Sequence, residues 1–235
     1  MSPNTRKVLT AVIACRNNGS RLYGKPLQHL CIKSRYSILD QVITNIKSIN
    51  WIEKIVLAIS EGVSNEIFKI YAKDNGLDFI VGSETDVLSR LISGLKHVDG
   101  TDLFRITSES PYLYWQLVNQ AWEIHKNNDF DATFLDDIID GCGFEIIKSD
   151  SLNKSWRKGN NNHRSEFCTL YIRENKNDFD IHKLQCPSKL IRKDLRLTVD
   201  YPEDLVICRE LFSSFENQIR NVSYDLNDMV DFLII

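Results

Sequence analysis

The chain has 235 residues, 43% of them hydrophobic, which suits one large globular domain with a buried core. Its 29 basic and 32 acidic side chains nearly balance, and this argues against a general nucleic-acid-binding protein. No run approaches the roughly 18 uninterrupted apolar residues of a membrane span, and the six cysteines form no CxxC pair of the kind found in zinc sites. Because residues 1–7 are polar and lack a secretory pattern, we expect a cytoplasmic protein with no membrane or nucleic-acid partner.

Strand and helix patterns alternate through the first part of the chain. The apolar run 8–15 is typical of a strand buried on both faces, and Ser37 with Asp40 forms a capping-box pattern that opens an amphipathic helix. Further strands are predicted at 54–60, 77–81 and 102–107, and further helices at 64–75, 86–98 and from the loop at Pro111 to about 126. This alternation predicts right-handed βαβ units and an α/β fold with a doubly wound, mostly parallel sheet.

The second half of the chain is less regular. Strands are predicted at 131–135, 143–148 and 195–199, helices at 163–174 and 202–215, and a polar loop at 158–163. No internal repeat or dividing linker is visible, so the sequence predicts a single domain over 1–235. Because the chain stops on the mostly apolar stretch 231–235, we expect this domain to be cut from a longer chain that could be bifunctional.

Positive charge is concentrated at the start of the chain. The first 39 residues hold seven basic side chains and no acidic one, whereas the rest hold 22 basic against 32 acidic. Ligands of open parallel sheets bind beyond the carboxyl ends of strands, so the loop after the first strand is a candidate site. It carries Arg16, Arg21 and Lys25, and Gly19 and Gly24 allow the backbone to approach an anion closely. These features predict a triphosphate site, with a solvated surface turn as the alternative; the spacing matches neither a P-loop nor a dinucleotide-binding turn.

Two carboxylates follow other predicted strands. Glu109 comes after the fourth strand, and Asp200 comes after the strand at 195–199. Two carboxylates at converging strand ends can hold one Mg²⁺ together with phosphate oxygens, so both residues are candidate metal ligands. The alternative is structural, since Asp200 precedes Pro202 in the position of a helix cap.

These segments together resemble a known family. The chain is similar to cytidylyltransferases of the spore-coat-polysaccharide type and to the synthetases of CMP-sialate and CMP-KDO, from Val8 to about Phe212. The resemblance is carried by the loop 15–27, by Gly-Ser-Glu-x-Asp-Val-Leu-x-Arg at 82–90, by Arg-Ile-Thr at 105–107 with Pro111, by Gly143 to Glu145, by Arg164-Ser-Glu166, and by LRLTVDxPEDL at 195–205.

The resemblance implies both a fold and an activity. The fold would be the Rossmann-like nucleotide-diphospho-sugar transferase fold, with helices on both faces of the sheet and a dimerisation subregion at roughly 136–188. The activity would be that of an enzyme that uses Mg²⁺ and CTP, joins CMP to a small acidic acceptor such as a sugar acid or a phosphonate, and releases pyrophosphate. A homodimer is expected as well, because the relatives pair through this subregion.

The resemblance also implies roles for individual residues. Arg21 and Lys25 would be catalytic, because they would offset the charge that develops on the reacting phosphates. Nucleotide binding would fall to Ala14, Arg16, Gly19, Ser20, Arg21, Lys25, Ser83, Asp86 and Arg90, metal binding to Glu109 and Asp200, and acceptor binding to Arg164 and Glu166. For Asp86 and Arg90, four residues apart on a predicted helix, a plain surface ion pair is the alternative.

The sequence departs from the family pattern at three places. The basic loop has Asn18 and Gly19 where the family has glycine and serine, and it has Tyr23 where proline is common. Ser108 and Glu109 replace a Gly-Asp pair, so the carboxylate is one methylene longer. This last change favours, as an alternative function, a catalytically degenerate member that binds a nucleotide or a partner. ATP or GTP in place of CTP is a third hypothesis, and no residue stands out as a general base.

Overall fold

The computed structural model describes residues 6–19 and 21–234. Ser20, which we expected to bind the nucleotide, lies outside the described residues. Within those two stretches, no helix is long and apolar enough to cross a membrane.

A seven-stranded sheet forms the centre of the molecule. In spatial order its strands are β5 (Asp78–Gly82), β4 (Ile52–Ser60), β1 (Leu9–Cys15), β6 (Asp102–Arg105), β8 (Phe144–Lys148), β7 (Ala132–Leu135) and β9 (Ile181–Lys183). Neighbouring strands are parallel except at β8, which runs antiparallel to both β6 and β7. A separate antiparallel hairpin joins β2 (His29–Cys31) and β3 (Tyr36–Ser37). The expected mostly parallel sheet is confirmed.

Helices cover both faces of this sheet. They are α1 (Ile38–Lys47), α2 (Glu66–Asp74), α3 (Val87–His97), α4 (Val118–Asn128), α5 (Ser149–Lys158), α6 (Asn161–Arg164), α7 (Leu170–Glu174), α8 (Pro202–Ser214), α9 (Glu216–Arg220) and α10 (Leu226–Ile234). Successive residues of β1 enter two different cores. Ala11 and Ile13 belong to the core that α1, α2, α4, α8 and α10 cover, whereas Val12 belongs to the core under α3 and α5. Two apolar cores on opposite faces of one sheet are the doubly wound arrangement.

The predicted capping box at the start of α1 is present. Ser37 Oγ accepts a hydrogen bond from the backbone N–H of Asp40 at 3.1 Å, and the Asp40 carboxylate accepts one from the backbone N–H of Ser37 at 2.7 Å. Two N–H groups at the helix start are satisfied in this way, which fixes where α1 begins.

The structure corrects three assignments in the second half. In the described chain, residues 195–199 form no regular strand, and an isolated bridge joins Arg196 to Asp140. The helix predicted over 163–174 is interrupted, since α6 ends at Arg164 and α7 begins at Leu170. The polar loop predicted at 158–163 is shorter, because the Asn160 side chain caps α6. The hairpin β2–β3, α5 and β9 were not predicted, since these segments are short or carry few apolar residues.

Candidate active site

A cleft opens beyond the carboxyl ends of β1 and β6, where the sequence places its candidate site. It is lined by the following predicted site residues: Ala14, Arg16, Gly19, Arg21, Lys25, Arg90, Glu109, Glu166 and Asp200. Asn17, Asn18, Arg105 and Thr107 also line it, although the sequence analysis gave them no role. The structure therefore brings the basic loop and both predicted metal ligands to one place.

The basic loop after β1 is folded tightly against neighbouring backbone. Gly24 has a φ of 62°, and its N–H donates to the carbonyl of Asn17 at 2.9 Å, which closes the loop. Asn17 is itself buried, and its backbone N–H donates to Asn65 Oδ1 at 2.7 Å. A Cβ on Gly19 would lie 2.2 Å from the carbonyl oxygen of Leu22, so this turn admits only glycine. The loop thus presents its cations from a fixed backbone.

Three cations surround the carboxylate of Asp200. Lys25 Nζ lies 2.6 Å and Arg21 Nη2 lies 3.1 Å from Oδ1, and Arg196 Nη1 lies 2.7 Å from Oδ2. Arg21 also donates to the Tyr201 hydroxyl at 3.2 Å, and its guanidinium carbon lies 4.8 Å from the centre of that ring. Burial alone would raise the pKa of Asp200, but Lys25, together with Arg21 and Arg196, holds that pKa below its ordinary value. The carboxylate is therefore ionised at neutral pH beside two predicted catalytic residues.

Asp204, in the first turn of α8, and not Asp200 fixes the start of this helix. Asp204 Oδ2 accepts hydrogen bonds from the backbone N–H groups of Asp200 at 2.9 Å and of Tyr201 at 2.8 Å. The capping alternative for Asp200 is therefore wrong, because its own side chain contacts the three cations.

The segment that leads to Asp200 is extended and held by backbone contacts. The N–H of Leu197 donates to the carbonyl of Asp140 at 2.7 Å, and the N–H of Val199 donates to the carbonyl of Glu109 at 3.0 Å. Gly141 has a φ of 92°, and a Cβ there would lie 2.6 Å from the backbone nitrogen of Thr198. Close packing against Gly141 therefore sets the path of the chain just before Asp200.

Glu109 reaches the same cleft from the loop after β6. Ser108 Oγ donates to Glu109 Oε2 at 2.8 Å, so the serine that replaces glycine orients the longer side chain. Carboxylate oxygens are ligands that Mg²⁺ prefers, often beside substrate phosphate oxygens. Glu109 and Asp200 both bring such oxygens to this cleft. Over residues 6–19 and 21–234, no group of three or more His, Cys, Asp or Glu side chains could hold a metal ion. A metal ion held by Glu109 and Asp200 would therefore need further ligands from outside the protein, such as phosphate oxygens or water.

Arg90 is buried beneath the cleft with 2% of its surface exposed. Its Nη1 donates to the carbonyls of Ala58 at 2.8 Å and Cys15 at 3.3 Å, and its Nε has no hydrogen-bond partner among the described residues. Burial lowers the pKa of Arg90. A Cβ on Gly82 would lie 3.0 Å from Arg90 Cγ, so the glycine leaves room for this side chain. The surface ion pair between Asp86 and Arg90 is therefore wrong, because the arginine lies at the ends of β1 and β4.

Ser83, Asp86 and Arg164 lie outside the lining of the cleft. Asp86 caps α3 by accepting from the backbone N–H of Ser89 at 2.8 Å, and its second oxygen accepts from Trp156 Nε1 at 2.8 Å. Ser83 Oγ accepts from the backbone N–H of Asp86 at 3.1 Å. Arg164 donates to the carbonyl of Trp156 at 2.9 Å and stacks on its ring. Asp86 and Arg164 therefore join α3 and α6 to Trp156 of α5, and Ser83 supports the turn before α3.

Glu166 and Arg105 form the side of the cleft that faces the basic loop. The Glu166 carboxylate lies 3.1 Å from Arg16 Nη2. Arg105 Nη2 donates to the backbone carbonyl of Glu166 at 3.3 Å, and its Nη1 donates to Glu145 at 2.6 Å. Sequence analysis missed Arg105 as a site residue, although its place at a strand end was a usable signal.

Comparison with known proteins gives the family. The family model described as Cytidylyltransferase matches residues 10–230. The chain belongs to the cytidylyltransferase family. The spore coat polysaccharide biosynthesis protein SpsF of Bacillus subtilis is 24% identical over 206 residues, which cover 86% of this chain and 85% of that protein.

Solved structures of other proteins have the same fold as this chain. A cytidylyltransferase from Leptospira borgpetersenii serovar Hardjo-bovis matches with a TM-score of 0.86 at 19% identity, over 97% of this chain and 94% of that one. A CMP:2-keto-3-deoxy-manno-octonic acid synthetase in complex with CTP matches with a TM-score of 0.65 at 12% identity, over 88% of this chain and 99% of that one. The expected family, α/β fold class and nucleotidyltransferase activity are confirmed.

Proposed function

We propose that this cytidylyltransferase transfers CMP from CTP to a small acidic acceptor, a sugar acid or a phosphonate, and releases pyrophosphate, with Mg²⁺ as its metal. The observation that carries the proposal is the contact of Lys25 and Arg21 with Asp200 beside the carboxyl ends of the strands. Triphosphate transfer requires cations for the phosphates and a carboxylate for the metal, and this cluster supplies both within hydrogen-bond distance.

The basic loop would hold the triphosphate. Arg16, Arg21 and Lys25 would bind phosphate oxygens, and the tight turn at Gly19 lets backbone N–H groups approach them. Lys25 and Arg21 would leave Asp200 for the phosphates and offset the charge that grows on pyrophosphate as it departs. Ala14 and Arg90 line a deeper part of the cleft beside Val87 and Leu91, which would receive the base.

Two carboxylates would hold the metal. Asp200 Oδ1 becomes available once Lys25 and Arg21 turn to the phosphates, and Glu109 is oriented toward the same cleft by Ser108. A Mg²⁺ ion held by these two residues would supply Lewis-acid chemistry to the phosphates.

Pyrophosphate release tests the proposal. The purified protein is assayed with CTP, Mg²⁺ and a panel of sugar acids and phosphonates, and at least one acceptor should give release that depends on its concentration. Lys25→Met should lower the rate by about 100-fold or more, because a cation on the transferring phosphates is lost. Lys73→Met, a change at an exposed lysine at the end of α2, is the matched control and should leave the rate unchanged.

The degenerate-member hypothesis gives a different result in the same experiment. Tight CTP binding without release, whichever acceptor is supplied, would support a binding role and count against catalysis. Thermal shifts with CTP, UTP, ATP and GTP test the choice of nucleotide, because the ligand with the highest affinity stabilises the fold most. A larger shift with ATP or GTP would refute CTP as the substrate.

A homodimer and a cytoplasmic location stay predictions. β9 forms one edge of the central sheet within the subregion 136–188, and exposed strand edges can pair with another chain. A monomer in light scattering at micromolar concentration would refute the dimer.

A further inference from the structure

Arg105 is a cation of the cleft that belongs to neither the basic loop nor the Asp200 cluster. It ends β6 and lines the cleft, and its side chain is 19% exposed. It donates from Nη1 to Glu145 Oε2 at 2.6 Å and from Nη2 to the carbonyl of Glu166 at 3.3 Å. A guanidinium carries five N–H groups, so these two contacts leave three donors without a partner in the described part of the chain.

Ion pairs around the buried carboxylate of Glu145 fix the position of this guanidinium. Glu145 lies directly opposite Arg105 in the antiparallel register of β6 and β8. Its other oxygen, Oε1, accepts from Thr169 Oγ1 at 2.9 Å and from Arg173 Nη2 at 2.7 Å. Arg173 in turn donates from both Nη atoms to Asp136, at 2.6 and 2.9 Å.

The network keeps Glu145 ionised although it is buried. Burial alone would raise the pKa of Glu145, but Arg105 and then Arg173 hold that pKa below its ordinary value. Ion pairs to a buried carboxylate add little stability compared with apolar side chains of the same volume. A fixed charge at a cleft, by contrast, can bind a ligand without the cost of ordering the side chain first.

We propose that Arg105 binds the anionic group of the acceptor, with Glu145 and Arg173 as positioning residues. The inference rests on the proposed function, in which Lys25 and Arg21 are occupied by the triphosphate. The ligand is then a carboxylate or a phosphonate, since both accept paired N–H donors from a planar guanidinium. Arg164, which the sequence analysis assigned to the acceptor, lies outside the cleft lining.

Anion binding to the nucleotide-saturated protein tests the proposal. The wild-type protein is saturated with Mg²⁺ and a CTP analogue that carries a methylene bridge between the α- and β-phosphorus atoms. Methylphosphonate and, separately, acetate are then titrated by calorimetry; the preferred anion shows which acid group the acceptor carries. One of them should bind with a stoichiometry of one.

Variants assign that binding to Arg105. Arg105→Met should lower the affinity for the anion at least tenfold, and Arg105→Lys should lower it less. In both variants the affinity for the CTP analogue should change less than twofold. Arg157→Met, a change at an exposed arginine of α5 that does not line the cleft, is the matched control and should leave the anion affinity unchanged. Glu145→Gln should lower the affinity for the anion at least threefold and leave the affinity for the analogue unchanged. A substitution that only damaged the structure would lower both affinities together.

Three outcomes would overturn the inference. One is that neither anion binds to the saturated wild-type protein up to tens of millimolar. Another is that Arg105→Met and Arg105→Lys bind the anion as the wild type does. The last is that Arg105→Met and Arg105→Lys no longer bind the CTP analogue, because Arg105 would then belong to the nucleotide site. A wild-type protein that does not bind the analogue at all refutes the proposed function instead, and the inference with it.

Discussion

Replacing the carboxylate of Asp200 should change nucleotide binding and turnover in opposite directions. The Lys25 and Asp200 side chains are 14% and 22% exposed, and their contact is 2.6 Å long. The contact therefore stabilises the free protein by about 1.5–3 kcal/mol, the range for a charged hydrogen bond. Arg21 is 45% exposed, so its contact with Asp200 adds no more than about 0.5 kcal/mol. In the proposed function, the wild-type protein breaks these contacts when CTP binds. Asp200→Asn retains only a neutral acceptor, so we expect it to bind CTP about tenfold more tightly without metal, which is about 1.4 kcal/mol.

The same substitution should lower turnover with Mg²⁺ by about 100-fold or more, because a predicted metal ligand is lost. Calorimetry with CTP in EDTA gives the affinity, and pyrophosphate release gives the turnover. Asp194→Asn is the matched control, since Asp194 pairs with Arg192 and does not line the cleft. If Asp200→Asn binds CTP no more tightly than the wild type in EDTA, Asp200 does not compete with the triphosphate and the reasoning is refuted.

Three further predictions concern stability and the loop. Because two guanidiniums lower the pKa of Glu145, its ion pairs stabilise the fold above about pH 4 and lose that effect as the pH falls through the lowered folded-state pKa. Glu145→Gln should therefore lower the free energy of unfolding by about 3 kcal/mol at pH 7. The melting temperature of this variant should also fall less steeply than that of the wild type as the pH is lowered below about 4. Gly19→Ala should abolish the thermal shift with CTP and leave the melting temperature of the free protein nearly unchanged, since a Cβ meets Leu22 only 2.2 Å away in a surface loop. Asp86→Ala should lower the free energy of unfolding, measured with denaturant, by about 1–2 kcal/mol, because it removes a helix cap and the hydrogen-bond partner of Trp156. The KM for CTP should not change.

The place of the cleft followed from local signals in the sequence. Strand and helix periodicities in the first half, with the capping box at Ser37, predicted the parallel sheet, and the rule about strand ends then located the basic loop and Glu109. Such signals depend on a few neighbouring residues, so one sequence contains them. Residues 195–199 have the same apolar alternation as a strand, but whether an extended segment joins a sheet depends on the space beside it, which the sequence does not display.

The side-chain partners were harder to predict. The spacing of Asp86 and Arg90 suggested an ion pair, yet Arg90 lies on the helix face that also carries Val87, Leu91 and Gly94, all at helical spacing. That apolar face is itself a signal that Arg90 is buried. The contact between Arg105 and Glu145 depends on the register of two strands that are distant in the chain, and local patterns do not fix such a register.

The close approach at Gly141 has a consequence for how this enzyme can change. A side chain there would push against Thr198 and displace the backbone that carries Asp200. Position 141 does not line the cleft, yet a mutational scan would record it as intolerant, as it records a catalytic position. New acceptor preferences would therefore have to arise through exchanges of the lining side chains, with this turn left as it is.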